Sequence, residues 1–215
     1  MAEYRMIYQS GEGYYEEKHS RFLARACPIG SEEEALSIVA AARKEFWEYK
    51  HHCYAFTLGK RGELCRSNDD GEPSGTAGAP ILEVIKGSEV RNLLVVVNRY
   101  WGGILLGTGG LVRAYSSAAR DALEHAQLLT VREGEEWRLI CDYSDLNRLD
   151  QAVARLGVTQ GPREFGSDVT TLYYPTAETR DGLLRAAEDV SAGSVIYEKL
   201  REVSFSELNG KILFF

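Results

Sequence analysis

Two short segments hold most of the residues that could do chemistry. The first, Asn98–Arg120, reads NRYWGGILLGTGGLVRAYSSAAR and places Arg99, Tyr100 and Trp101 beside Gly102, Gly103, Gly107, Gly109 and Gly110, then Arg113. Glycine permits positive φ and close backbone approach. The first turn of a helix offers unpaired N–H groups and the positive end of a dipole. A helix opening near Gly109 with Arg113 where an acid is usual therefore favours an anion, with Arg99 at the other end of the loop and two aromatic rings for stacking. The second segment, Asp69–Pro80, reads DDGEPSGTAGAP and sets three carboxylates, Asp69, Asp70 and Glu72, in a turn ahead of Ser74, Thr76 and a second glycine-rich helix start.

Known signatures almost fit these segments, and the departures are informative. Gly102 to Gly107 gives the G-x-x-x-x-G of a phosphate loop, but Thr108 and Gly109 occupy the Lys and Ser/Thr positions. The GTGGLV run starts as G-x-G and has Val112 in place of the third glycine. Ser74 falls one residue too late for a G-x-S-x-G nucleophile turn. The acidic run lacks calcium-loop spacing. Three readings stay open. The two segments could complete each other, the carboxylates capping the second helix and pairing with Arg99 and Arg113. They could hold an anion or a nucleic acid. Or they could hydrolyse a peptide or phosphoester through Asp69, Asp70 and Glu72 with a divalent ion. His51, His52 and Cys53 alternate across a strand, so at most two could share a metal, and no metal or cofactor is expected.

The elements that position these residues divide the chain at about Glu133. After it, 136–143, 158–165, 168–174 and 194–203 read as strands. Two helices separate them, one capped by Ser144 and closed by Gly157, the other capped by Thr176. That βαββαβ order is a ferredoxin-like domain over 134–215. Before it, a hairpin over Tyr4–Tyr14 and Phe22–Cys27 leads to a helix over 32–49, whose capping box is Ser31 with Glu34. Strands over 52–59 and 62–69, a helix over 81–86, the apolar strand 92–97, a helix from Gly109 to His125 and a last strand over 128–131 complete an α+β domain over 1–133.

Composition restricts function further. With 44% apolar and 27% charged residues over 215 positions, the chain has an ordinary globular make-up. A net charge of −7 argues against a broad basic surface for nucleic acid, though not against a local pocket. The four cysteines lack C-x-x-C spacing and read as free thiols. The first twenty residues carry no signal-peptide pattern and no run could span a bilayer, so a cytoplasmic protein without membrane partners is expected.

DDGEPSGTAGAPIL, followed by LLVVVNRYWGGILLGTGGLVRAYSSAAR, closely resembles the IMPACT family and its bacterial YigZ-like members, and HHCYAF and SRFLARACP match the same pattern. Asn98, Trp101 and Leu105 depart from the usual Thr, Phe and Lys. The resemblance implies an N-terminal fold like the second domain of a small-subunit ribosomal protein. It implies a C-terminal fold like the last domain of elongation factor G. It also implies a regulatory role in translation, with RNA, the ribosome or a protein as partner and a monomer or weak homo-oligomer as the assembly. The dipeptidase activity attributed to bacterial members finds no recognisable machinery in these residues. The expected contact surface comprises Arg99, Tyr100, Trp101, the glycine turn and Arg113, flanked by the Asp69–Thr76 loop, and binding is favoured over catalysis.

Overall fold

The computed structural model describes residues 3–59 and 61–215, in two compact units: Tyr4–Leu129, and Thr130–Phe215 together with Glu3. In the first unit, strand β1 (Tyr4–Gln9) is followed by β2 (Gly11–Glu17), β3 (Ser20–Pro28), helix α1 (Glu32–Glu45), β4 (His51–Leu58) and β5 (Leu64–Asn68). Then come α2 (Gly78–Ser88), β6 (Val90–Arg91), β7 (Leu93–Tyr100) and α3 (Gly107–Glu124). The expected hairpin over Tyr4–Cys27 is shifted. β2 and β3 form it about Lys18 and His19, which both have positive φ, while β1 pairs in parallel with β6. That geometry suits a two-residue turn whose twist matches the strands.

The main sheet runs β2-β3-β7-β4-β5, every pair antiparallel. β7 lies at its centre, and its apolar run is explained by burial on both faces. Leu93, Val95 and Val97 point to α2 and α3, where Phe22, Ile81, Tyr115 and Ala118 complete the larger core. Leu94 and Val96 point to α1, against Val39 and Phe56. Alternation continues along β7, so Asn98 belongs to the α1 face, and Arg99 to the α2–α3 face.

Helix starts follow local chemistry with small displacements. Ser31 Oγ accepts the Glu34 amide at 3.1 Å, as the capping box requires, while the Glu34 carboxylate reaches the Gly30 amide at 2.7 Å rather than that of Ser31. α1 stops at Glu45, four residues short of expectation, where Phe46 and Tyr49 turn into an aromatic contact. α2 is longer than its apolar ILEVIK run, because Gly78–Pro80 form its first turn, where proline forfeits no helical hydrogen bond.

One strand, β8 (Gln127–Cys141), replaces the two expected over 128–131 and 136–143; the chain enters the second unit within it. There follow α4 (Tyr143–Leu156), β9 (Thr159–Phe165), β10 (Val169–Tyr174), α5 (Arg180–Ser191), β11 (Ile196–Leu208) and β12 (Lys211–Phe214). The strand order is β9-β10-β8-β11-β12, all antiparallel. Leu139, Val169 and Tyr173 pack under Leu149, Val153, Leu183 and Ala187 of the two helices. The N-caps are Asp142 and Thr179 instead of Ser144 and Thr176, and Gly157 closes α4 in the left-handed conformation as expected.

Candidate functional site

The two chemistry-bearing segments do meet, and their acidic half turns inward. Asp69 sits just after β5 and takes over the start of α2. Its Oδ1 accepts the amides of Ala77 at 3.0 Å and Gly78 at 2.8 Å, and its Oδ2 accepts that of Gly75 at 2.9 Å. Burial acts to raise the pKa of this carboxyl, yet the three amide donors outweigh it and hold it below the usual aspartate range. Asp70, at φ 43°, accepts the His52 amide at 2.6 Å and the Arg43 guanidinium at 2.5 Å. Its carbonyl accepts a hydrogen bond from His51 Nδ1 at 2.9 Å.

Glu72 completes the internal set. Its Oε1 accepts Arg99 at 2.6 Å and the Tyr115 hydroxyl at 2.8 Å, and the Glu72 and Arg99 side chains are only 3% and 7% exposed. The Phe22 ring lies 5.5 Å from the guanidinium, and Arg99 Nε has no hydrogen-bond partner among the described residues. Cys53 Sγ is 3.0 Å from the Asp69 carbonyl and 3.3 Å from the Tyr115 hydroxyl. Burial pushes the Cys53 thiol up. Burial, reinforced by Cys53 and Glu72, does the same to the Tyr115 hydroxyl. Both groups therefore stay protonated at neutral pH and supply neither a nucleophile nor a base. Thr76 is buried with its hydroxyl on the Pro73 carbonyl at 2.7 Å, and Ser74 is exposed with no side-chain hydrogen bond among the described residues.

The second half of the site faces out. Tyr100 follows Arg99 on the opposite face of β7, carries the Arg21 guanidinium 4.6 Å over its ring, and meets the Tyr49 ring at 5.8 Å. Trp101 is 49% exposed, Leu105 is 82% exposed, and Ile104 and Val112 are also exposed. Gly102 is required by contact, since a Cβ there would lie 2.1 Å from the His19 carbonyl carbon. Gly103 and Gly107 have open space around them and are required by conformation, with φ of 85° and 70°. α3 starts at Gly107, two residues before expectation. Its first turn has no acid and its N-cap, Leu106, offers no side-chain hydrogen bond. Gly109 and Gly110 lie in that turn, and Arg113 is exposed, its nearest carboxylate being Glu17 at 3.9 Å.

Arg99, Asp69, Asp70, Glu72 and Thr76 are thus gathered into an internal lattice, while Tyr100, Trp101, the glycine turn and Arg113 form an outward surface. Arg99 and Arg113 do not converge on one ligand position. Tyr115, central to the lattice, and Arg43, at its exposed rim, were not among the expected site residues. Tyr115 lies on the inward stripe of α3, four positions after Leu111, and nothing in its spacing distinguishes it from a core aromatic. Among the described residues, no group of three or more His, Cys, Asp and Glu side chains could hold a metal ion, and no helix is long and apolar enough to cross a membrane.

Comparison with known proteins gives a consistent set of relatives. Residues 18–123 match the family model for the Impact N-terminal domain. An IMPACT family member of Haemophilus influenzae is 33% identical over 203 residues, covering 93% of this chain and 98% of the relative. IMPACT family member YigZ of Escherichia coli is 41% identical over 148 residues, covering 67% and 70% of the two chains. A solved crystal structure described as a hypothetical protein aligns over 94% of this chain and 98% of its own, at 30% identity and a TM-score of 0.60.

Proposed function

The chain belongs to the IMPACT family, and from that premise we propose that it is a cytoplasmic, non-enzymatic regulator of translation that binds RNA, a ribosomal surface or a translation protein. Its contact surface is Tyr100, Trp101, the Gly102–Gly110 turn and Arg113. The observation that carries this reading is the exposure of Trp101, Ile104 and Leu105 in succession, beside a helix start that no side chain caps. Exposed tryptophan, tyrosine and arginine are the residue types on which binding energy concentrates. The Asp69–Thr76 loop and Arg99 act one layer below, fixing the ends of α2, β7 and α3 so that the outer turn keeps its shape.

The internal commitment of Asp69, Asp70 and Glu72 favours binding over hydrolysis, since each carboxylate already accepts at least two hydrogen bonds from the protein. The proposal includes a first unit of the ribosomal-protein type and a second unit of ferredoxin-like type. The strand order β9-β10-β8-β11 around two helices supports the latter.

Cosedimentation of the full chain with ribosomes, with and without nuclease, tests the surface. Trp101→Ala combined with Leu105→Ser is expected to lower the bound fraction at least about tenfold while leaving the unfolding midpoint unchanged. Arg113→Ala is expected to act mainly at low salt. Ribosome association untouched by all three changes would refute the assignment of this surface.

A further inference from the structure

A second surface lies on the outer side of α2 and α3, and nothing in the family reading assigns it. A groove of about 710 Å³ runs between the two helices. Each helix already buries one stripe on the sheet: Ile81 and Ile85 from α2, and Leu111, Tyr115, Ala118 and Ala122 from α3. The groove is formed by a neighbouring stripe of each, which joins the core stripe at Val84 and Leu123. On α2 it takes the adjacent pairs Ala79–Pro80, Glu83–Val84 and Gly87–Ser88, which recur every four positions. On α3 it takes Val112, Ser116, Arg120 and Leu123 at the same helical spacing. Solvent-facing helix stripes are ordinarily charged. These two are small and apolar, with only Glu83, Arg120 and Glu124 as ionisable lining groups.

The dimensions and the charges select one occupant. Lining residues extend from Val112 to Glu124, which at 1.5 Å per residue is about 18 Å, or some three helical turns. Small residues at Ala79, Gly87 and Ser116 let another backbone come close, as in tight helix–helix packing. Two carboxylates, one on each wall, stand against a single guanidinium in the lining. Glu124 and Arg120 have no ion-pair partner among the described residues, and Glu83 meets only Lys86, in an exposed i,i+3 pair at 3.3 Å that is worth little in water. We propose that this groove binds an amphipathic helix of a partner protein, about three turns long, with an apolar i, i+3, i+4, i+7 face flanked by lysine or arginine that meets Glu83 and Glu124. Val112 also belongs to the exposed apolar residues near the outer turn, so one partner can touch both surfaces, but the groove inference does not require the translational reading.

Site-specific photocrosslinking in cells tests it, with p-benzoylphenylalanine placed in the full chain at position 116 and, as control, at position 36 on α1. The expected adduct at position 116 is a nuclease-resistant protein whose crosslinked peptide is an apolar helix with basic flanks. A synthetic copy of that peptide should bind the purified full chain. Ser116→Trp, which fills the groove, and the double change Glu83→Lys with Glu124→Lys should each weaken it at least about tenfold. An adduct with RNA, with a second copy of this chain or with an acidic segment, the same adduct from position 36, or no adduct at all, would overturn the proposal. So would peptide affinity that both variants leave unchanged. Loss of ribosome association on changing Trp101 would leave these outcomes untouched, so the two surfaces fail separately.

Discussion

Glu72→Ala should be among the most damaging single changes in the Tyr4–Leu129 unit, and the reason is electrostatic rather than volumetric. Glu72 is the only carboxylate paired with Arg99 among the described residues; the Arg99 side chain is 7% exposed, and its Nε already lacks a partner. Removing the anion leaves a buried guanidinium with nothing to offset its desolvation, which costs about 3–5 kcal/mol. Tyr115→Phe removes one hydrogen bond to the same carboxylate and should cost about 1.5–3 kcal/mol. The double change Glu72→Leu with Arg99→Met removes both charges and keeps most of the packing. It should be less destabilised than Glu72→Ala alone, with a coupling energy of at least about 2 kcal/mol. Trp47 and Trp101 belong to this unit and Trp137 to the other. Urea titration in a Trp137→Phe background therefore makes tryptophan emission report this unit. A Glu72→Ala cost under about 1 kcal/mol, or a double change as costly as the two singles together, would refute the claim that this pair is the electrostatic centre of the unit.

Three further outcomes follow from the same structure. Asp69→Asn should cost about 1–2 kcal/mol through weaker capping of the α2 start. Because the folded carboxyl is held below the usual range, its contribution is complete above the unfolded value and is lost as pH falls through the lower folded value. The stability gap between wild type and Asp69→Asn should therefore close in acid, and a gap that is constant with pH would contradict the capping role. Of the four free thiols, half-buried Cys65 should react first with a maleimide, and Cys53 and Cys27, buried and raised by burial, only on unfolding; mass spectrometry of pulsed labelling gives the order. Gly102→Ala should lower the unfolding midpoint by the equivalent of about 1–3 kcal/mol, since the new methyl meets backbone at His19. An unchanged midpoint would mean that the turn is free to move away.

Much of this fold is written in local chemistry, and the departures occur where a distant partner decides. The Ser31 cap, the Gly157 stop and the apolar β7 follow from sequence because each depends on neighbours within a few positions. Residues 132–135 fall between the two strands expected over 128–131 and 136–143. They are strand because their backbone pairs with β11, from Arg132 opposite Phe205 to Glu135 opposite Glu202, and the ladder is made by main-chain groups whatever the side-chain polarity. β12 was absent from the expected elements although Asn209-Gly210 precedes it. Both residues have positive φ, the signature of a two-residue hairpin turn.

The same rule of alternation that separated His52 from Cys53 also separates Arg99 from Tyr100, and it decides the division of labour at the site. Neighbours on a strand cannot serve one pocket unless the strand has ended, and β7 continues through Tyr100. Once Arg99 points toward α2 and α3, a guanidinium in that core must find an anion, and the Asp69–Glu72 loop is the nearest segment able to supply one. The acidic loop therefore answers Arg99; Gly78 lets the α2 start approach the Asn68 backbone, and Gly71 and Gly75 supply the positive φ of the loop between. What remains outside is a turn that exposes Trp101, Ile104 and Leu105, while Tyr100 before it is engaged by Arg21 and Tyr49. In the proposed reading, these exposed apolar groups are the part of the surface that meets another molecule.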